Sequence, residues 1–352
     1  MQAIVLTELG GLDGIGPGEV AMPEAAPGEV LIRVATVAVN RQDLNLIFGR
    51  FTVPGFELPH VLGLDPAGTV AALGQGVDDL AVGDRVVAKP PIGCTECPAC
   101  ERGDDDACER IRSLGIHRPG GMAEYVSVPR RNVFAIPPGV SMATATAFSH
   151  SFPVALTLLG KIGVTATDDV LVSGASGAVG SAVVQLARNL GANVTAAVST
   201  PAGRDWLEAL PTAVAPDAVI DLAATPAFAA DLHERVPGGI SAHVETASDP
   251  DVWSEALKSL ARGARVAVVG AHAGPRVEID NNWLFRQRVS IIGCSGSSVS
   301  AYAEALALLG RGAIEPHIDS IVPMSQAAAA YGRLQSRGNQ GKIVLRVADD
   351  IE

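Results

Sequence analysis

Residues 170–199 read VLVSGASGAVGSAVVQLARNLGANVTAAVS: a β-branched apolar run, a glycine-rich turn, a stretch with helical spacing, then a second apolar run. That order is strand, turn, helix, strand, the unit from which parallel sheets are built. In the turn, Gly177 allows backbone to approach a pyrophosphate and Gly180 allows the helix to pack closely on the strand. The helix start offers unpaired N–H groups and a positive dipole end to the phosphates. The turn departs from G-x-G-x-x-G at its first glycine. Ala175 stands in that place and Gly174 lies one residue earlier, with Ser176, Ala178 and Val179 completing the loop.

The second apolar run ends where a cofactor is chosen. The acid that grips the ribose 2′-hydroxyl of NAD, expected about 20 residues after the turn, is absent. Ser199 and Thr200 stand there, with Arg204 shortly beyond. Small hydroxyls and a guanidinium suit a 2′-phosphate, whereas a carboxylate repels it, so NADPH is the expected cofactor. Arg204 as a solvated helix residue is the alternative.

Outward from this unit the pattern repeats. Apolar runs begin near Val170, Val194, Ala218, Ala242, Val266 and Val289, about 24 residues apart, with helical segments such as SAVVQLARNLG and DVWSEALKSLARG between them. The units share no sequence, so they predict a doubly wound α/β sheet of six parallel strands rather than a solenoid. The first 150 residues read as a mostly antiparallel β domain. EVLIRVATVAVN alternates as a half-buried strand should, and GTVAAL, DRVVA and AEYVSV follow between Gly/Pro turns. MATATAFSHSFPVALTLLG is helical and leads into the parallel sheet, and the last strand, GKIVLRV, is expected to return to the first domain. The predicted division is 1–151 with 297–352, and 152–296.

Cys94, Cys97, Cys100 and Cys108, in C-x2-C-x2-C-x7-C, form the second strong signal. Four thiolates on one short lobe, placed at 90–112, can close a tetrahedral shell around Zn²⁺ and leave no position open, which predicts one structural zinc per chain. Only Cys294 lies elsewhere, so disulfides are disfavoured and a reduced, cytoplasmic setting is expected. A net charge of −12 with no Lys/Arg cluster argues against nucleic acid or an anionic membrane as partner. No apolar run long enough to span a membrane is evident, and MQAIVLTELGG lacks the basic-then-apolar order of a signal peptide.

The motifs AVNRQDL, LPHVLGLDPAGTV, VGDRVV, the cysteine lobe, GMAEYV, GASGAVG, RVAVVG and GKIVL together resemble the medium-chain dehydrogenase/reductase superfamily, which includes zinc alcohol dehydrogenases and quinone oxidoreductases. The resemblance covers nearly the whole chain and implies a GroES-like β domain plus a Rossmann domain. It also implies that Arg41 faces the cofactor pyrophosphate, with a surface ion pair as the alternative. It places Gly270 and Cys294 near the cofactor, Cys294 being otherwise a small buried hydrophobe. A homodimer or homotetramer, joined through RVSIIGC, is implied in the same way. Zinc alcohol dehydrogenases take catalytic ligands from a Cys, a His-Glu pair and a Cys or acid. Those places hold Asn40, Leu64 with Asp65, and His150 here. With leucine unable to ligate, only Asp65 and His150 remain, one short of the usual three, unless His60 supplies another.

Losing the Lewis acid favours conjugate addition to an enone or quinone, which disperses charge through an enolate and needs only a hydrogen-bond donor and a proton source. The expected reaction is therefore hydride transfer from NADPH to an activated C=C bond or a quinone in a small-molecule substrate. Asn40 is the expected donor to the substrate oxygen, His150 a proton source or a buried histidine, and Asp65 its orienting partner. Asp43 reads as a structural acid and His117 as a loop residue or pocket lining. Phe48, Phe51, Phe56 and Trp283 either wall a pocket or pack the core. Two rivals stand beside this reading: a carbonyl or imine reductase or alcohol dehydrogenase, and a cofactor-binding protein with a non-redox role.

Overall fold

The computed structural model describes residues 1–51, 53–271, 274 and 276–348. The last four residues of the expected first domain, 349–352, lie outside the described residues. The chain divides into two compact units, Met1–Pro153 with Ser297–Glu352, and Val154–Gly296.

In the first unit, seven strands form one sheet around the strand Glu29–Ala38. It pairs antiparallel with Ala67–Leu73 on one side and with Lys342–Arg346 on the other, and Tyr125–Pro129 pairs with its first half. The burial pattern of EVLIRVATVA is nearly continuous instead of alternating, because the strand is central and covered on both faces. On one face the helix Met142–Lys161 is pinned to the sheet through its few polar side chains. Thr146 Oγ1 lies 2.7 Å from Thr36 Oγ1, and Ser149 Oγ donates to the Ala88 carbonyl at 2.7 Å. By length and hydropathy alone this helix could cross a membrane, but 78% of its apolar window is buried, as in a core helix. On the other face Val37, Val39, Leu62, Leu64 and Leu345 pack with Tyr331 of the helix Ala327–Gln335.

The register of the closing strand matters most for chemistry. Val344 lies opposite Ala38, Leu345 opposite Val37 and Arg346 opposite Thr36. Two residues further along this antiparallel pair, Lys342 faces Asn40, and Val39 N–H donates to the Ile343 carbonyl at 3.2 Å. Asn40 also ends its strand by heading the helix Arg41–Ile47, its N–H held by Asp43 Oδ2 at 3.0 Å.

The second unit holds six parallel strands in the spatial order Ala218–Asp221, Asn193–Val198, Asp169–Ser173, Ile240–Glu245, Leu260–Val268, Ser290–Gly293. The chain starts at the third position, fills one side, then returns to fill the other. The reversal between Asp169–Ser173 and Ile240–Glu245 is the switch point at which doubly wound sheets bind ligands. The six-stranded α/β sheet is the one expected from residues 170–294.

Candidate functional site

The cysteine lobe is assembled by local geometry. Cys97 caps the short helix Pro98–Glu101, and the turn before it places Thr95 in the left-handed region with φ 74°. The four Sγ atoms all lie within 4.8 Å of one another. A tetrahedron with Zn–S of about 2.3 Å has sulfur–sulfur edges of roughly 3.8 Å, so one Zn²⁺ fits with small adjustments. Cys94 Sγ and Cys100 Sγ are already 4.0 Å apart, and Cys94 N–H donates to Cys108 Sγ at 3.3 Å. Behind the lobe a fully buried Lys89 donates to Asp105 at 3.1 Å and to the Pro91 carbonyl at 2.7 Å, and Arg131 lies 3.7 Å from the same carboxylate. This ion network ties the lobe to its domain.

The residues standing where a catalytic metal would be held form a different arrangement. Asp65 is fully buried; its Oδ1 accepts the Ala38 N–H at 3.1 Å and its Oδ2 accepts from Asn40 Nδ2 at 3.2 Å and Lys342 Nζ at 2.9 Å. Lys342 Nζ also donates to Asn40 Oδ1 at 2.5 Å. Asn40 Nδ2 spends its other hydrogen on the Ala38 carbonyl at 3.3 Å. The amide orientation is determined, because a flip would turn its NH2 group toward the ammonium. This corrects the role expected of Asn40: both amide hydrogens are already engaged, leaving none for a substrate oxygen.

His150 is corrected in a similar way. Its Nδ1 is buried without a hydrogen-bond partner, and none of the Asp65 hydrogen bonds reaches it, so Asp65 orients Lys342 and Asn40 rather than the imidazole. Burial, reinforced by the Lys342 charge, lowers the His150 pKa to about 4, so the ring is neutral near pH 7 and is a weak acid there. Leu64 is fully buried in the hydrophobic core. His60 sits in the strand His60–Val61, its ring 4.8 Å from Phe56, and burial lowers its pKa. Among the described residues, the four cysteines are the only His/Cys/Asp/Glu group whose ligand atoms converge. A catalytic zinc does not fit this donor set: its acceptors already hold an ammonium, and a divalent cation there would face that positive charge.

Asp43, next in the network, accepts from Tyr331 Oη at 2.8 Å while its Oδ1 stays buried and unpartnered. Burial pushes its pKa up to about 7, against the pull of the Tyr331 hydrogen bond. Arg41 is partly buried, with Arg337 and Arg50 close enough to add to the lowering of its pKa, a cationic locus on the helix Arg41–Ile47. Phe48 and Phe56 pack against the core, whereas Phe51 is exposed. Trp283 packs in the core of the second unit. His117 Nδ1 accepts the Ser113 N–H at 3.1 Å and closes its own loop.

In the second unit the glycine turn has the geometry its sequence requires. Gly174 sits at φ +68°, where a Cβ would lie 2.4 Å from Thr246 Oγ1; a Cβ on Gly180 would lie 2.3 Å from the Gly174 carbonyl oxygen. Gly177 caps the helix Ala178–Asn189, and Ser176, Gly177, Ala178 and Val179 keep partial solvent contact while Ala175 is buried. Ser199 is exposed at the end of the adjacent strand. Thr200 Oγ1 is spent on capping the helix Pro201–Glu208, accepting Gly203 N–H at 3.1 Å. A Cβ on Gly203 would meet Ser176 Oγ at 2.9 Å, so this helix start lies against the glycine turn. Arg204 is not a free cation: its Nη2 lies 2.7 Å from Asp205 Oδ1 and its Nη1 3.3 Å from Asp221 Oδ2. Gly270 is exposed with φ +87°, and Cys294 follows the last parallel strand, its N–H on the Val268 carbonyl.

A glycine turn on a doubly wound sheet, joined to a β domain with a four-cysteine lobe, defines an oxidoreductase of the dinucleotide-binding kind. Residues 26–138 match the alcohol dehydrogenase GroES-like domain and residues 178–311 the zinc-binding dehydrogenase family. An NAD-dependent alcohol dehydrogenase of known crystal structure is 30% identical, with a TM-score of 0.92 over 99% of this chain and 100% of that one. The chain belongs to the medium-chain dehydrogenase/reductase superfamily, on the zinc-type alcohol dehydrogenase side. Its relatives include the L-galactonate-5-dehydrogenase of Escherichia coli K12, 26% identical over 318 residues and 89% of each chain. A zinc-binding dehydrogenase of Sinorhizobium meliloti 1021, solved bound to NADP, is 26% identical with a TM-score of 0.85, covering 98% of this chain and 99% of that one.

Proposed function

We propose that this protein is an NADPH-dependent reductase that delivers hydride to a C=C bond conjugated to a carbonyl, or to a quinone, with its zinc confined to the cysteine lobe. The observation that carries the reading is the donor set at the catalytic position: Leu64 is absorbed into the core, and Asn40 and Asp65 are occupied by Lys342. Reducing an isolated carbonyl concentrates negative charge on one oxygen, for which these enzymes use a metal; conjugate addition spreads that charge over an enolate. Bound NADPH would supply the hydride. The turn 174–180 would hold its pyrophosphate, with Arg41 contributing charge and Gly270 and Cys294 lying by the nicotinamide.

The choice of NADPH over NADH rests on Ser199, Thr200 and Arg204. A 2′-phosphate would compete with Asp205 for the guanidinium, so Arg204→Ala is expected to weaken NADPH binding about tenfold and NADH binding far less, read by titration of cofactor fluorescence. We further propose a cytoplasmic homodimer or homotetramer. Reduced thiolates suit that compartment, and the strand Ser290–Gly293 is an edge of its sheet and available for pairing across a two-fold axis.

A second reading, an alcohol dehydrogenase or carbonyl reductase, is favoured by the L-galactonate-5-dehydrogenase and alcohol dehydrogenase relatives. Product analysis from NADPH and an α,β-unsaturated aldehyde separates the two. Saturated aldehyde is the expected product. Allylic alcohol would overturn the proposal in favour of the second reading, and NADPH binding without turnover of any electrophile would support a non-redox role.

A further inference from the structure

The strand Ile240–Glu245, on one side of the switch point, carries two titratable side chains that the reaction does not use, His243 and Glu245, both fully buried. His243 Nδ1 lies 3.1 Å from the Leu171 carbonyl oxygen, which can only accept, so Nδ1 carries a hydrogen. In a neutral ring that leaves a bare lone pair on Nε2, and Nε2 faces Glu245 Oε2 at 3.5 Å. Two lone pairs would then confront each other out of water, and both atoms are buried without a hydrogen-bond partner. One proton on Nε2 removes both defects at once. Burial opposes the Glu245 charge, but the His243 ring and the N–H groups of Ser248 and Ala247 hold its carboxyl below the usual carboxylate range, so the proton belongs to the ring. On the neighbouring strands His243 stands opposite Leu171 and Val266, and Glu245 opposite Ser173 and Val268. Arg265, one position before Val266, is bonded to Asp168 instead.

Glu245 also anchors a turn of backbone. Its Oε1 accepts the N–H groups of Ala247 at 2.6 Å and Ser248 at 2.8 Å. Ser248 is held there in the left-handed region, φ 57°, and its Oγ donates to the Gly270 carbonyl at 2.9 Å. On the other side Thr246 Oγ1 donates to the Ser173 carbonyl at 2.8 Å and stands where a Cβ on Gly174 would clash. The turn 246–248 thus touches both the glycine turn and Gly270. We propose that His243 is held as an imidazolium whose Nε2–H is donated to Glu245 Oε2, and that this buried pair positions the turn bracing both cofactor loops. The role rests on the reading above, in which 174–180 and Gly270 contact the dinucleotide. Being fully buried, ring and carboxylate act through the turn, as positioning residues.

Two readouts test this. The first is spectroscopic and needs no cofactor: the ring nitrogen resonances of protein labelled with nitrogen-15 at its histidines, near neutral pH. His243→Gln identifies the signals of residue 243 by deleting them. Wild type should show hydrogens on both ring nitrogens of His243. In Glu245→Gln the new amide can donate to Nε2 while its oxygen still accepts from the turn, so His243 should keep only the hydrogen on Nδ1. The second readout is NADPH affinity, by titration of cofactor fluorescence. His243→Leu leaves the carboxylate without its donor and should weaken binding about tenfold, the scale of one unpaired buried acceptor. His243→Gln, whose amide offers two hydrogens to the same two acceptors, should recover most of that loss. A bare Nε2 in wild type, a doubly protonated ring in Glu245→Gln, undiminished affinity in His243→Leu, or equal losses in His243→Leu and His243→Gln would overturn the proposal. A doubly protonated His243 in a protein that binds neither NADPH nor NADH would uphold the buried pair and refute the cofactor reading instead.

Discussion

The cysteine lobe and the Asn40–Asp65–Lys342 cluster are two solutions to one problem, that of holding positive charge inside a protein. In the lobe, four neutralising ligands come from fifteen consecutive residues, 94–108, and converge within 4.8 Å. In the cluster one carboxylate, just before the strand Ala67–Leu73, and one amide, just after the strand Glu29–Ala38, are brought to a lysine that the chain itself supplies. An ion bound by the lobe can be removed or exchanged. A lysine cannot leave, so its site has a built-in charge with no dependence on metal supply.

The largest expected effect falls on the lobe. Cys97→Ser should lower zinc content from one per chain toward none, because the remaining thiolates cannot close the shell. Structural zinc in small domains supplies roughly 10–16 kcal/mol, so calorimetry should show the first unit unfolding at much lower temperature. Activity should fall only with the folded fraction. A variant with an unchanged thermal midpoint and no activity would make this zinc part of the chemistry and erase the contrast.

Asp65→Ala tests the cluster from the carboxylate side. It leaves a buried ammonium with only the Asn40 carbonyl oxygen, and breaking a buried pair in this way costs about 3–5 kcal/mol. Denaturant unfolding should show that loss, and Asp65→Leu/Lys342→Met should regain most of it. If the single variant were as stable as wild type, the pair would be contributing nothing to the fold.

The pH dependence sharpens the comparison further. His150 has a folded pKa lowered to about 4, beneath its unfolded value of 6.5. The unfolded state therefore binds the extra proton between those values, and stability should be fully present above about pH 6.5 and decline as pH falls toward 4. His150→Asn should flatten that slope in thermal midpoints measured across the range. Asp43 contributes the opposite sign. Its folded pKa is raised to about 7 from 3.8, so its contribution is greatest below pH 3.8 and is lost as pH rises through 7. Asp43→Asn keeps an acceptor for Tyr331 and should remove a decline in stability between pH 4 and 7. A decline that survives the substitution would assign it to another group.

Much of this molecule was legible in its residues alone. Strand–helix alternation after residue 169 has a period that local chemistry imposes, and the glycine turn requires its residue types wherever it occurs, as Gly174 and Gly180 demonstrate by the clashes a Cβ would make. The cysteine lobe was legible for the same reason, its ligands being neighbours in sequence. Lys342 was not. It reads as the ordinary first residue of an apolar strand, and only the antiparallel register of Lys342–Arg346 against Glu29–Ala38 brings it to Asn40. Arg204 was identified, but its pairing with Asp221 depends on two strands lying side by side, which spacing along the chain does not encode. Asn40 was read as a hydrogen-bond donor to substrate, but a residue type says what it can donate and not where its hydrogens have already gone.

The ion pair has a consequence for how the protein is made. Asp65 and Lys342 are separated by 277 positions. At roughly 5–20 residues per second, a ribosome would need about 15–55 s to travel from one to the other. For that interval the nascent β domain would carry an aspartate in its interior with no counter-ion, and the sheet would lack the strand that seals it. The end of the central strand, Thr36 to Ala38, would thus wait for its last neighbour, while the parallel sheet encoded between them would already be complete. Synthesis of residue 342 is then the event that turns a tolerated defect into a closed ion pair.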